Sequence, residues 1–224
     1  MRKAPIYLLI DKSGSMNGEA ITSVKNGIDI CIKALRTDPV SMEKAYVSII
    51  TFADKAEKIM DLTYVPDIVT LPEIEAKGTT AMGDAVRVLN DSLNNDLAEN
   101  TAEEKGDYKA FVVLFTDGRP TDKSVLEAQL KTLNRHKINY FIAATTNTEE
   151  DVKKTLVDIT GHEENVIFLP TANADTFKKF FTWVTQSYNA SVSRGVETPE
   201  EETGDGSLGE LPPLPAFNDD GGLL

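Results

Sequence analysis

Tyr7-Leu8-Leu9-Ile10-Asp11-Lys12-Ser13-Gly14-Ser15-Met16 is the stretch on which the reading of this chain turns. An apolar run with no polar alternation is how a strand buried on both faces reads, and such strands belong to parallel sheets covered by helices. The run stops at an acid followed by two hydroxyl residues at i+2 and i+4. That places oxygen ligands just past the carboxyl end of a strand, the edge where open α/β sheets bind their ligands. Gly14 allows a tight turn between the two serines, so Asp11, Ser13 and Ser15 could converge on one point.

Further apolar runs rich in Val, Ile and aromatics follow at residues 46–52, 111–115, 140–144 and 166–169, and none alternates cleanly. Residues 55–62 form a short charged segment that could return as an antiparallel edge strand, where lysines discourage further pairing. Between the runs lie helical periodicities. Ile21, Val24, Ile28, Cys31, Ile32 and Leu35 share one face, with Asp38-Pro39 as a stop. Helices are also expected over 85–97, 125–133, 152–159 and 177–188, the last with Phe177, Phe180, Phe181, Val184 and Tyr188 on one stripe. The expected fold is α/β: a Rossmann-like, doubly wound, mostly parallel six-stranded sheet with one short antiparallel edge strand and helices on both faces.

A chain of 224 residues can bury one substantial core. Apolar periodicity fades from Ser191 onward, where Glu, Gly, Ser and Pro dominate, so residues 1–190 read as the folded domain and 191–224 as an acidic, disordered tail. The net charge is −13, of which the tail contributes −7. A surface that binds nucleic acid needs clustered Lys and Arg, so nucleic acid is excluded as a partner. With Cys31 the only cysteine, no intrachain disulfide can form, and its place on a helical apolar stripe makes it a core residue. The apolar run after Met1-Arg2-Lys3 is too short for a signal peptide and no run could span a bilayer, so the expected location is the cytoplasm, with no membrane contact.

Two more segments place matching groups at strand or helix ends. Phe115-Thr116-Asp117-Gly118 carries an acid at the end of a strand, and Gly78-Thr79-Thr80 carries hydroxyls before the helix that starts near Met82. A magnesium-sized cation takes about six hard oxygen ligands near 2.1 Å, which these three segments could supply together. Taken alone, Asp-x-Ser-x-Ser could equally be a helix N-cap.

The three segments, in this order and spacing, resemble the metal-ion-dependent adhesion site of von Willebrand factor A domains. The resemblance covers about residues 4 to 190. It implies metal ligation by Asp11, Ser13, Ser15, Thr80 and Asp117. Thr80 is taken rather than Thr79 because the family's ligand threonine lies six positions before an apolar helix residue, here Val86. It also implies Mg2+ or Mn2+ at the site, and a partner protein whose Asp or Glu completes the shell. Position 12 is lysine, where the family commonly has a small or uncharged residue.

Tyr7 to Met16, Ala45-Tyr46-Val47-Ser48-Ile49-Ile50-Thr51-Phe52 and Thr116-Asp117-Gly118-Arg119-Pro120-Thr121-Asp122 are further similar to the bacterial tellurite-resistance proteins with this domain. That likeness implies a protein phosphatase or kinase as partner.

Several nearby residues have more ordinary explanations. Thr79 is expected to cap the following helix rather than reach the ion through water, Asp84 to favour its first-turn dipole, and Asp122 to cap the helix after it rather than shape the rim. Met16, Asn17 and Glu19 either form a partner-reading rim or simply start a helix. His136 and His162 have no second histidine or cysteine at metal spacing and read as solvated. In the tail, residues 211–217 (Leu-Pro-Pro-Leu-Pro-Ala-Phe) read either as a docking motif for a partner or another copy or as a solubilising linker, and Asp219 or Asp220 could be offered to a metal on another copy.

No general base or activated nucleophile is recognisable, so catalysis is not expected. A metal-dependent phosphohydrolase is the alternative, but a second Asp two positions after the strand-end acid is missing, Ser13 standing there. A nucleotide-binding Rossmann-like domain is a third reading, but the first turn lacks Gly-x-Gly-x-x-Gly.

Overall fold

A computed structural model describes residues 2–197 and 212–214. Six strands form one sheet: β1 (Ala4–Asp11), β2 (Ala45–Phe52), β3 (Ala56–Tyr64), β4 (Ala110–Phe115), β5 (Ile138–Thr145) and β6 (Val166–Phe168), in the spatial order β3-β2-β1-β4-β5-β6. All neighbouring pairs are parallel except β2 with β3. β1 and β4 are buried along their whole length, which is why their sequences show no alternation. β3 is the half-exposed edge, and its pairing with β2 is interrupted by register shifts around Ile49.

Each face of the sheet carries its own core. Ile6, Leu8 and Ile10 of β1 point to α1 (Glu19–Thr37) and α6 (Ala174–Glu197), while Tyr7 and Leu9 point to α3 (Met82–Asp96), α4 (Lys123–Thr132) and α5 (Glu150–Thr160). The aromatic stripe of α6 covers β4, with the rings of Phe177 and Phe115 edge to face at 4.7 Å. α1 and α6 approach closely because Gly27 has no side chain: a Cβ there would lie 2.2 Å from the Phe181 ring. Cys31 is buried in this layer, and burial pushes its thiol up to about 11, so it stays protonated and inert.

Most helix ends shift by one to three residues from expectation, and two boundaries differ in kind. Asp38-Pro39 ends α1 but also opens α2 (Pro39–Lys44): the Asp38 carboxylate accepts the Ser41 N–H at 2.8 Å, and proline suits the first helical position, where no N–H is needed. α6 runs to Glu197, past residue 190, because Ser191 and Val192 are still buried. The disorder and metal-docking roles expected for residues 198–211 and 215–224 lie outside the described residues. Among the described residues, no helix is long and apolar enough to cross a membrane.

Candidate metal centre

β1 pairs with β2 on one side and β4 on the other, so the chain order reverses at β1 and leaves a crevice past the carboxyl ends of β1 and β4. Asp11 is the last residue of β1, and Thr116 and Asp117 directly follow β4. Three loops meet there. The Gly14 N–H donates to the Gly78 carbonyl at 3.0 Å, Lys77 N–H to the Lys12 carbonyl at 2.8 Å, and Thr121 N–H to the Thr80 carbonyl at 2.9 Å. These backbone bonds tie the segments around Ser13, Thr80 and Asp117 into one rigid rim.

Asp11 is fully buried and held at both oxygens. Its Oδ1 accepts the Ser13 N–H at 2.7 Å and its Oδ2 accepts the Thr116 hydroxyl at 2.5 Å. Burial pushes the Asp11 carboxyl up to about 6, the negative charge of Asp117 pushes the same way, and the bonds from Thr116 and Ser13 offset only part of this. The Ser13 and Ser15 hydroxyls lie 3.0 Å apart, and the Ser15 hydroxyl donates to Asp117 Oδ1 at 2.8 Å. Asp11, Ser13 and Thr80 are buried, Asp117 is half-buried and Ser15 is exposed, so the oxygen cluster has a closed floor and an open side. Thr80 faces Gly118, where a Cβ would sit 2.9 Å from the Thr80 hydroxyl oxygen. Glycine at 118 therefore lets the two loops close on each other.

All five residues singled out in the sequence thus lie at one sheet edge. Several supporting residues do not carry their expected roles. Thr79 does not cap α3: its N–H and hydroxyl both donate to Asp54 Oδ1, at 2.9 and 3.0 Å, and the N-cap position belongs to Ala81. Asp122 sits at the N-cap position of α4 but makes no side-chain cap there. Its two oxygens instead accept the Gly83 and Asp84 N–H groups, both at 2.9 Å, so it caps the neighbouring α3. Asp84, in the first turn of α3 as expected, accepts the Ala56 N–H at 2.7 Å. Met16 belongs to the core at 0% exposure, whereas Asn17 and Glu19 are exposed beside the loop.

Sequence reasoning passed over three contributors. Thr116 was read only as part of a motif, yet it anchors Asp11. Asp54 lies two residues after β2, and Asn147, two after β5, donates to the Asp117 carbonyl at 3.2 Å. Their position past strand ends was the available signal. On the outer rim, Arg119 is paired with Glu149 and Asp151.

Two carboxylates and three hydroxyls make an all-oxygen donor set of the kind that suits a hard divalent cation. The set also has the electrostatic condition that a cation relieves, a buried carboxyl whose ionisation is opposed by a second acid. Among the described residues no group of three or more His, Cys, Asp or Glu could hold a metal, and His136 and His162 are exposed. Hydroxyls, not further acids, would have to complete this site.

A family model for the von Willebrand factor type A domain matches residues 6–182. No curated protein matches the chain. Among solved structures, proximal thread matrix protein 1 from the mussel byssus aligns with a TM-score of 0.63 at 16% identity, covering 83% of this chain and 48% of that one. The same mussel protein with zinc occupying its MIDAS motif aligns at 0.56 and 25% identity, covering 82% and 45%. The pilus adhesin SpaC from Lactobacillus rhamnosus GG, in its open conformation, aligns at 0.67 and 13% identity, covering 85% and 30%. The chain spans less than half the length of each of these three.

Proposed function

This chain belongs to the von Willebrand factor type A family, and from that premise we propose that it is a non-catalytic protein-binding module that docks an acidic side chain of a partner on a divalent cation. Asp11, Ser13, Ser15, Thr80 and Asp117 hold the cation, Mg2+ or Mn2+ by the hardness of the oxygen donors. The ion supplies the positive charge that an Asp or Glu of the partner neutralises. The observation that carries this reading is the hydrogen-bonded chain Ser13–Ser15–Asp117, with the buried Asp11 beneath it and an exposed side at Ser15. With three of five donors neutral, a bound dication keeps enough charge to attract an incoming carboxylate. Support from relatives comes from the mussel protein with zinc in its MIDAS motif.

Within the family, the likeness to the tellurite-resistance proteins makes a protein phosphatase or kinase of a bacterial stress response the proposed partner, and the cytoplasm the proposed compartment. The hydroxyls and carboxylates of the cluster bond to one another as one oxygen set, which suits them to cation ligation and favours docking over a phosphohydrolase or a nucleotide-binding domain.

The test is calorimetric titration of Mg2+ and Mn2+ into the full chain and into Asp11→Ala, with circular dichroism to show that both are folded. Saturable binding lost only in the variant supports the site. Equal binding by both proteins, or none by either, defeats it. A pull-down with and without chelator then reads the partner: a phosphatase or kinase captured only with metal supports the finer assignment.

A further inference from the structure

Trp183, the chain's only tryptophan, lies midway along α6 and is 4% exposed. Its ring stacks on Phe180 with centroids 6.2 Å apart. An indole N–H is a donor only, and leaving it buried without an acceptor is costly. Its acceptor comes from far along the chain: the Trp183 Nε1–H donates to the Pro212 carbonyl at 2.9 Å. Pro212 is half-buried there, whereas Pro213 and Leu214 are exposed. The segment around it reads Leu211-Pro212-Pro213-Leu214-Pro215.

Consecutive prolines favour the polyproline II conformation, in which backbone carbonyls have no internal partner and little ordering entropy is lost on docking. Aromatic-lined surfaces recognise such segments in this way. We propose that the flank of α6 at Trp183 is a proline-segment binding surface, and that its occupant is residues 212–214 of the same chain, strapped back onto the helix.

Length and charge favour the chain's own segment. From Glu197 back to Trp183 the helix rises about 21 Å, while the fourteen residues 198–211 can extend to roughly 46 Å. The return is easily spanned. Those residues include Glu200, Glu201, Glu202, Asp205 and Glu210, and α6 carries Lys178 and Lys179 about one turn before Trp183. The surface is distinct from the metal edge, so a partner bearing a similar proline segment would have to displace the strap rather than compete for the cation.

Because Trp183 is the only tryptophan, its fluorescence reads the strap directly. The comparison is between the full chain and a full-length variant with Leu211→Ser, Pro212→Gly, Pro213→Ser, Leu214→Gly and Pro215→Ser. The expected result is red-shifted emission and stronger acrylamide quenching in the variant, with unchanged helix content by circular dichroism. A synthetic peptide of residues 208–218, added up to about millimolar to match the effective concentration of a short tether, should restore the original emission. Identical emission and quenching in the two proteins would overturn the proposal, as would a shifted variant that the peptide fails to restore. If the parent's emission shifts red on dilution, the strap comes from a second copy and the intramolecular placement is wrong.

Discussion

Replacing Asp11 with Asn should stabilise the metal-free protein while removing its response to metal. Asp11 has no exposed surface, and burial raises its carboxyl from 3.8 to about 6. A folded-state value above the unfolded one means that the folded protein holds its proton more tightly, so stability falls as pH rises between those two values and the full penalty is present at pH 7.5. The shift corresponds to about 3 kcal/mol. Asn keeps an oxygen to accept the Ser13 N–H, and its amide can donate to Thr116. The loss of a charged acceptor for the Thr116 proton is already contained in that net shift. Removal of the buried charge leaves a net gain of about 3 kcal/mol, or roughly 6–12 °C in Tm for a domain of this size.

Metal reverses the order. A cation at about one thousand times its Kd stabilises the parent by about 4.1 kcal/mol and leaves the variant unchanged. The assay is thermal unfolding followed by circular dichroism at pH 4 and 7.5, with chelator and with Mg2+ or Mn2+. In chelator the advantage of Asp11→Asn should be present at pH 7.5 and vanish at pH 4, where the parent's carboxyl is protonated. A variant less stable than the parent at pH 7.5 in chelator, or a difference that does not depend on pH, would refute the reasoning.

Three other substitutions test the supporting structure. Thr116→Val keeps the shape but removes the hydroxyl on Asp11 Oδ2, and should weaken calorimetric metal affinity on the order of tenfold, as loss of an orienting partner does; unchanged affinity would remove Thr116 from the site. Gly27→Ala gains about 1 kcal/mol in helix propensity but forces a methyl into the Phe181 ring at about 1–3 kcal/mol. Urea unfolding should therefore show a net loss, and a gain would mean that α1 and α6 separate freely. Asp122→Ala leaves the Gly83 and Asp84 amides without their acceptor and should cost about 1–2 kcal/mol by the same measurement, whereas an effect near zero would show that water caps α3 equally well.

The sequence expectations succeeded where the signal lay in consecutive residues. Every strand core appears within the observed strands, including the charged edge strand, because burial on two faces, one face or neither leaves different patterns in consecutive residues. Boundaries were less legible. Asp38-Pro39 carries both a stop and a start signal, and only the short α2 shows that both are used. The last helix is expected to end at 188 and the domain at 190 from fading periodicity, although Val192 still finds a buried place and α6 continues to Glu197. Asp11, Ser13, Ser15, Thr80 and Asp117 were singled out through the family resemblance, since Asp-x-Ser-x-Ser alone also suits a helix N-cap, and the fold brings them to one sheet edge.

By itself, then, the sequence determined the alternation of strands and helices, the net acidity of the chain, and the oxygen chemistry gathered at strand ends. These follow from local spacing and composition, which the linear chain carries intact. Tertiary structure decided which polar group meets which. Thr116 chooses Asp11 across 105 positions, Asp54 takes Thr79 from its cap, and Asp122 caps α3 instead of its own helix. An Asp or Thr can satisfy its hydrogen bonds locally or at a distance at similar energy, and only the packing that brings the sheet edge together makes the distant partner the nearer one.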